Sequence, residues 1–530
     1  MAKITPRSQD FSQWYLDVLR EADMFDYGPV GGTIIVKPYG WTLYENMKDA
    51  LDKRFKDTGH VNAQFPLFIP QSFLRREASH VEGFAPELAV VTIGGGKELE
   101  EPIVVRPTSE TIIGDAYARW IKSYRDLPVL INCWNSVVRW EKRTKPFLRT
   151  MEFYWQEGHT AHATHEDSWE EVLRMLNVYH THGIEDCAMP TIRGRKSQNE
   201  RFAGAINTIS LEAMMGDKKA LQSATSHDLG QNFAKAFEIK YLDKDNTEKY
   251  CWTTSWGLSW RFLGGLVMMH GDDQGLRLPP KVAPIQVVVV PIYKNDDEKS
   301  KVIEAADRIF QTLKAAGFRI KFDDRDETPG FKFNDWEMRG VPVRVEIGPK
   351  DVANNSVALA RRDVPGKASK SFVPQDGLTE RIKTLMVEIH DSLHKQADAF
   401  LKSNIHEVNT HAELKEAVQD GWALVPLLDD PAVDAKIKDE LQATNRNFPL
   451  DQAEGEWKCV VTGKNSQRTS VGWQSLLMFS VEIEKGPGLE FCPGGGKTKK
   501  RASGANVRTP CVGMFSRLNL RRCIKATELD

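Results

Sequence analysis

A chain of 530 residues, 41% hydrophobic and 27% charged, can bury several cores without disulfides or metals. At about 150 residues per domain it implies roughly three to four of them. With 71 Lys/Arg against 73 Asp/Glu the formal charge is −2, which excludes a histone-like polybasic binder but leaves room for a local basic surface. The same composition excludes disorder of the chain as a whole.

The N-terminus, MAKITPRSQDFSQWYLDVLREADM, has no apolar signal-peptide core. Its first helix is expected to be capped by Ser8 and to bury Phe11, Trp14, Tyr15, Val18 and Leu19 at helical spacing. From Tyr27 to about Pro284 short apolar runs broken by Gly and Pro read as mixed α and β. The pattern changes at Ile285. There a buried-strand run to Ile292 is followed by a helix over 296–318 and strands at 319–322, 341–347 and 355–360. A short helix near Trp336 and a long one over 378–400 complete a small α/β unit with a largely parallel sheet. Residues 401–470 form a further segment. Beyond it, 471–530 show no sustained period, and from Lys497 onward nine Lys/Arg face two acidic residues. That tail is expected to be disordered, with an RNA-affinity extension as the rival reading. The longest uncharged apolar stretches, Phe262–Met269 and Val287–Ile292, are too short to span a bilayer. Seven scattered cysteines without a CxxC pair read as reduced thiols, so the chain is expected to be cytoplasmic.

The chemistry concentrates in Leu130–His159, LINCWNSVVRWEKRTKPFLRTMEFYWQEGH, which reads as strand, basic loop, strand, with alternation resuming at Phe147. Arg139 and Arg149 on its flanks make a fork suited to phosphate oxygens, because both stay charged and can bind bidentately. Glu141 can accept from an adenine amino group or hold a metal. Taken alone this is an exposed charged hairpin. Upstream, Arg106-Pro-Thr-Ser-Glu110 opens a helix that Thr108 or Ser109 would cap. Downstream lie Gln222-Ser-Ala-Thr-Ser-His227, Thr254-Ser-Trp-Gly-Leu-Ser-Trp-Arg261 and His270-Gly-Asp-Asp-Gln-Gly-Leu-Arg-Leu-Pro-Pro280. The spacing of His159, His162 and His165 by threes suits a metal only on a helix, and a place in a pocket wall is the better use of His159.

The ordered set RPTSE, VVRWE…FLRTMEFYWQEGH, ATSHDLGQNF and SWGL…R…HGDDQGLRLPP resembles prolyl-tRNA synthetases of the archaeal/eukaryotic-like type over roughly residues 8–468. The resemblance implies an α/β multi-domain protein, with a class II synthetase core of antiparallel sheet and helices over 1–283. An α/β anticodon-binding domain over 284–400 and a small C-terminal α+β domain over 401–470 would follow. It implies ATP-dependent attachment of L-proline to tRNA(Pro) through prolyl-adenylate by a homodimer using ATP and Mg²⁺.

It also implies roles. Thr108 and Glu110 would hold the prolyl ammonium, and Arg139 the α-phosphate and the substrate carboxylate. Glu141, Arg149 and Thr150 would bind adenine and phosphates. Phe153, Trp155, Glu157 and His159 would wall the proline slot, with Ser255 and Gly257 beneath it and His227 capping it. Gln222 and Thr225 would touch the ribose or a metal, and Ser259 and Arg261 would meet the phosphates, Arg261 at the γ end. Fewer than 100 residues separate His159 from Ser255, so no editing insertion is expected there.

Three features depart from the family. Trp260 stands where relatives usually have Thr, beside the γ-phosphate arginine. Val425–Asp430 lacks the expected cysteine and only Cys459 of the zinc set remains, so no zinc is expected. The tail past the Lys458–Lys464 hairpin has no counterpart. Two rivals compete with the leading reading: a threonine or serine ligase, and a catalytically impaired paralogue that binds RNA or regulates a partner.

Overall fold

The computed structural model describes residues 4–76, 88–452, 456–467 and 477–480. The first helix runs Phe11–Glu21 and buries Trp14, Tyr15, Leu16, Val18 and Leu19. Its cap is Asp10, whose carboxylate accepts from the Gln13 N–H at 2.9 Å, and not Ser8. A turn closes first: Gln9 and Asp10 both donate to the Pro6 carbonyl, which places Ser8 a turn too early to cap.

Among the described residues one sheet of eleven strands spans the molecule. In spatial order its strands are 405–407, 422–425, 477–480, 444–449, 192–195, 207–214, 220–230, 252–259, 152–162, 129–138 and 61–62. Pairing is antiparallel except at the two ends. The helix His165–Cys187 lies across the middle strands and buries Val172, Met175, Leu176 and Tyr179. Gly158 permits this packing, since a Cβ there would lie 2.1 Å from the Trp256 ring. The stretch between His159 and Ser255 contains two α-helices, 165–187 and 232–237, strands of the large sheet and one small two-stranded sheet, 240–242 with 248–250.

Residues 285–403 build a second sheet in the order 320–322, 287–291, 343–347, 356–361, 370–374. The first three strands are parallel and the last two antiparallel, so the sheet is mixed where the sequence suggested a largely parallel one. The last strand, Lys370–Pro374, carries no apolar alternation because it is an exposed edge, with Phe372 71% exposed. Helices Asp296–Ala315 and Leu378–Ser403 cover the sheet. The unit is fastened to the first sheet's helices by Arg362, which grips both oxygens of Asp272, and by Arg277, whose guanidinium donates to the Asp363 carbonyl at 2.6 Å.

The segment after Asn404 has its own small core around Leu414, Val425, Val433, Ile437 and Phe448. Its strands nevertheless continue the large sheet: Thr444–Pro449 pairs with Ile192–Arg195 at Phe448–Arg195 and Pro449–Gly194. Within the stretch expected to lack order, Leu477–Ser480 forms a strand between 422–425 and 444–449, an apolar run completing two ladders that would otherwise end there. The rest of 471–530, with Cys492, Cys511 and Cys523, lies outside the described residues. Cys459 is buried. Among the described residues no helix is long and apolar enough to cross a membrane.

A Cβ on Gly194 would lie 2.3 Å from Asn447 Cγ and 2.6 Å from the Phe448 carbonyl oxygen. Gly194→Ala is therefore expected to destabilise the protein by about 1–3 kcal/mol and to speed amide exchange at 445–449. Unchanged protection there would contradict this seam.

Candidate active site

The strands Val129–Val138 and Glu152–His162 pair in a continuous register from Val138–Glu152 to Val129–Ala161. Because side chains alternate, Phe153, Trp155, Glu157 and His159 share one face. The loop between them closes through Arg139 N–H to the Met151 carbonyl (2.8 Å) and reciprocal bonds between Lys145 and Arg149. Alternation does not resume at Phe147: this residue sits in the left-handed region (φ 59°) in a tight turn. Its ring is buried against Trp260, 5.8 Å away, and that burial holds the turn in place. Lys145 is drawn inward as well, donating to Ser12 at 2.8 Å and lying over the Tyr15 ring.

A cavity of about 390 Å³ opens on this face. Thr108, Glu110, Arg139, Glu141, Arg149, Thr150, Phe153, Trp155, Glu157, Gln222, Thr225, His227, Ser255, Gly257, Ser259 and Arg261 all line it. One expected residue is missing from the wall. His159 lies one ladder step past Glu157, 3% exposed, with Nε2 3.1 Å from Glu157 Oε2, so it backs the wall instead of forming it.

Three guanidinium groups share the cavity. Arg139 donates from Nε to the Pro107 carbonyl at 3.1 Å, and its guanidinium lies over the rings of Phe153 (5.3 Å) and Trp155 (5.4 Å). Arg149 is half-exposed, with Nε 3.7 Å from Glu141 Oε2. Arg261 opens the helix Arg261–His270 and donates from Nε to the Leu148 carbonyl at 2.8 Å. Burial, then the nearby charges of Arg149 and Arg139, push Arg261 down to about 10. It stays cationic at neutral pH but at a cost that an incoming polyanion would relieve. Trp260 does not displace these groups: it forms wall beside Phe147, and the Ser259 hydroxyl accepts from the Arg261 N–H at 3.2 Å.

At the other end the charges reverse. Glu110 begins the helix Glu110–Trp120, where the dipole favours a carboxylate, and accepts from the Thr108 hydroxyl. Ser109 is the capping residue by position, yet its hydroxyl and its N–H both donate to Glu157, so neither it nor Thr108 caps the helix by its side chain. Asn135 was not evident from sequence. Its amide donates to Glu157 at 2.8 Å and its oxygen accepts from Trp155 Nε1 at 2.9 Å, tying carboxylate and indole together. The one polar side chain at a buried position between Cys133 and Val137 was its only signal. Glu200, Phe202 and Thr208 also line the cavity and carried no signal. Phe202 stacks on His227 at 4.5 Å, and Thr208 Oγ1 lies 3.0 Å from His227 Nδ1. Burial, with His159 and Arg139 near, pushes His227 down to about 3, so it is neutral in the working range.

The histidines spaced by threes do not converge. His159 meets Glu157, His162 meets Thr160 (2.7 Å), and His165 meets Asp228 (3.1 Å). Strand alternation turns His159 and His162 to opposite faces. Among the described residues no His/Cys/Asp/Glu group of three is arranged to hold a metal.

Comparison with known proteins agrees with this architecture. Residues 91–270 match the tRNA synthetase class II core domain (G, H, P, S and T), and residues 286–385 match the anticodon binding domain. The proline–tRNA ligase of Chloroflexus aggregans is 56% identical over 468 residues, covering 88% of this chain and 97% of its own. The chloroplastic/mitochondrial proline–tRNA ligase of Arabidopsis thaliana is 54% identical over 473 residues, 88% and 87% of the two chains. The enzyme of that name from Symbiobacterium thermophilum is 53% identical over 476 residues.

The buried Glu157–His159 pair gives a pH test. Burial, the largest influence on each, opposes both charges. The hydrogen bond and attraction between them, with Ser109 and Asn135 donating to the carboxylate and Glu110 near the imidazole, together outweigh it, lowering the Glu157 carboxyl and raising the His159 imidazole. A raised histidine contributes stability fully below its ordinary value of about 6.5 and loses it as pH climbs through the raised value. A lowered carboxylate contributes above about 4.3 and loses it as pH falls through the lowered value. The stability gap between wild type and His159→Gln, from denaturant unfolding, is expected to peak between about pH 4.3 and 6.5 and to shrink at higher pH. A gap independent of pH would contradict the ion pair.

With a class II core, an anticodon-binding unit and relatives above half identity over most of its length, this chain belongs to the proline–tRNA ligase family.

Proposed function

We propose that this chain activates L-proline with ATP and transfers it to tRNA(Pro). The observation that carries the reading is the polarity of this cavity: three guanidiniums at one end, a carboxylate at a helix N-terminus at the other, and the apolar faces of Phe153 and Trp155 between them. A proline zwitterion fits that axis. Its ammonium would meet Glu110 and Thr108, its ring would lie on Trp155 above Ser255 and Gly257, and its carboxylate would face Arg139.

No side-chain base is needed, since the carboxylate is itself the nucleophile. Its oxygen attacks the α-phosphorus, the bond to the bridging oxygen breaks, and pyrophosphate leaves. Arg139 and Arg261 neutralise the charge that accumulates, and the closed geometry holds the reacting atoms in line. Glu141, Thr150, Gln222 and Thr225 would bind the nucleoside and phosphates. Mg²⁺ requires oxygen donors, which Glu141, Gln222 and Thr225 offer among the residues lining the cavity, and it would supply charge neutralisation of the phosphates. In the second step a terminal ribose hydroxyl of the tRNA attacks the acyl carbon and AMP leaves. Residues 285–403 would read the anticodon, and 404–480 would form a third unit.

The homodimer is part of the same proposal. Val61 is exposed on the edge strand of the large sheet, and Leu67 and Phe68 are exposed at strand 68–70, the edge of a small three-stranded sheet, with Trp120, half-exposed, packed on Phe65. An apolar free edge of this kind favours a second chain. Sedimentation is expected to give a dimer for wild type and a monomer for Val61→Glu with Phe68→Glu. A monomeric wild type would contradict the dimer.

Pyrophosphate–ATP exchange with proline, alanine, cysteine, threonine and serine in parallel tests the activity. Proline is expected to dominate, with alanine weakened by about 1–3 kcal/mol for each missing methylene. Arg139→Ala is expected to lower kcat by about 10²–10³. No exchange with any amino acid, from folded protein that binds ATP, would favour the impaired-paralogue reading.

A further inference from the structure

The C-terminal strand Thr444–Pro449 does more than extend the sheet. Its ladder with 477–480 is irregular between Asn445 and Asn447, which makes Arg446 the bulged residue. A bulge re-aims the side chain it carries. Arg446 points into the core, where Nη2 and Nε donate to Glu212 Oε2 at 2.8 and 3.2 Å. Glu212 is completely buried and also receives Lys196 Nζ on Oε1 at 2.9 Å. The ladder between Glu212 and its partner strand is itself shifted, between Leu211 and Glu212, so that Glu212 stands opposite Gln222 on the wall of the cavity. Arg446 thus reaches across strand 192–195 to Glu212, whose strand 207–214 pairs with the strand that carries Gln222 and Thr225.

We propose that Arg446 is a positioning residue for the ATP triphosphate, acting through Glu212 on the strand of Gln222, so that the C-terminal segment completes the nucleotide site. The inference rests on the ligase reading for its assay but concerns the nucleotide alone. One buried carboxylate thus ties two cations, Lys196 and Arg446, into a single cluster. Arg446 also acts on Arg261, whose guanidinium it disfavours in addition to Arg149 and Arg139. The proline end is served by Glu110 at the start of its helix and by Glu157 and Trp155 on strand 152–162, and does not depend on this strut.

Arg446→Met leaves the Glu212–Lys196 pair in place. With thermal unfolding confirming the fold, it is expected to raise the KM for ATP about tenfold with the KM for proline within about twofold. Arg446→Lys should recover most of the loss. Should Arg446→Met not fold, Glu212→Gln with Arg446→Gln keeps a hydrogen-bonded pair and is expected to raise the KM for ATP likewise. Calorimetric Kd values for ATP, in wild type and variants, separate the two proposals: wild type that binds ATP without proline-dependent exchange fails the ligase reading, while the effect of Arg446 on ATP affinity is still read. An unchanged ATP affinity in a folded variant, or equal rises for ATP and proline, would overturn the assignment.

Discussion

Three guanidinium groups confined to one partly closed cavity repel one another, and the fold around them consists largely of what holds them there. Arg139 is fixed by the Pro107 carbonyl and by two aromatic faces, Arg261 by the Leu148 carbonyl and the start of its helix. Each anchor is an uncharged oxygen or ring that costs the cation none of its attraction for phosphate. Glu141 is the partial exception, at 3.7 Å from Arg149, and that looser contact leaves Arg149 open to a ligand. A site arranged in this way is strained without its polyanion and relaxed with it. Such preorganised charge is what adenylate chemistry requires, since the nucleophile is supplied by the substrate.

The opposite end obeys different physics. Glu157 is buried and ionised because Ser109, Asn135 and His159 all donate to it. Through Asn135 the same carboxylate orients the Trp155 indole. The apolar slot is therefore shaped by a polar network behind it, and on the proposed reading selectivity for a small ring would depend on hydrogen bonds the ring does not touch. His159 belongs to that network, which explains why its motif position is informative although it does not line the wall.

Much of this was legible in the sequence, unevenly. Most residues that line the cavity sit in short motifs whose order identifies them, Glu200, Phe202 and Thr208 excepted, and strand alternation alone aligns Phe153, Trp155 and Glu157. What could not be read depends on register. Asn135 and Glu212 take their roles from which residue stands opposite them in a ladder, Ser109 from the fold that brings its helix start to Glu157, and Arg446 from a bulge that no local pattern announces. The same cause hid the continuity of the sheet: residues 401–470 have the composition of a separate unit, and it is the pairing of Phe448 with Arg195 and Pro449 with Gly194 that carries the sheet into them. The Ser8 cap failed for a local reason, the turn at Pro6, and Lys370–Pro374 was missed because an exposed edge strand needs no alternation.

A crystal structure of the full chain with proline and a non-hydrolysable ATP analogue tests the central claim most directly. The account predicts the α-phosphate between Arg139 and the proline carboxylate, the terminal phosphates at Arg261 and Arg149, and the proline ring on Trp155 with its nitrogen toward Glu110. Triphosphate bound away from the three arginines, or proline outside the Trp155 slot, would contradict it.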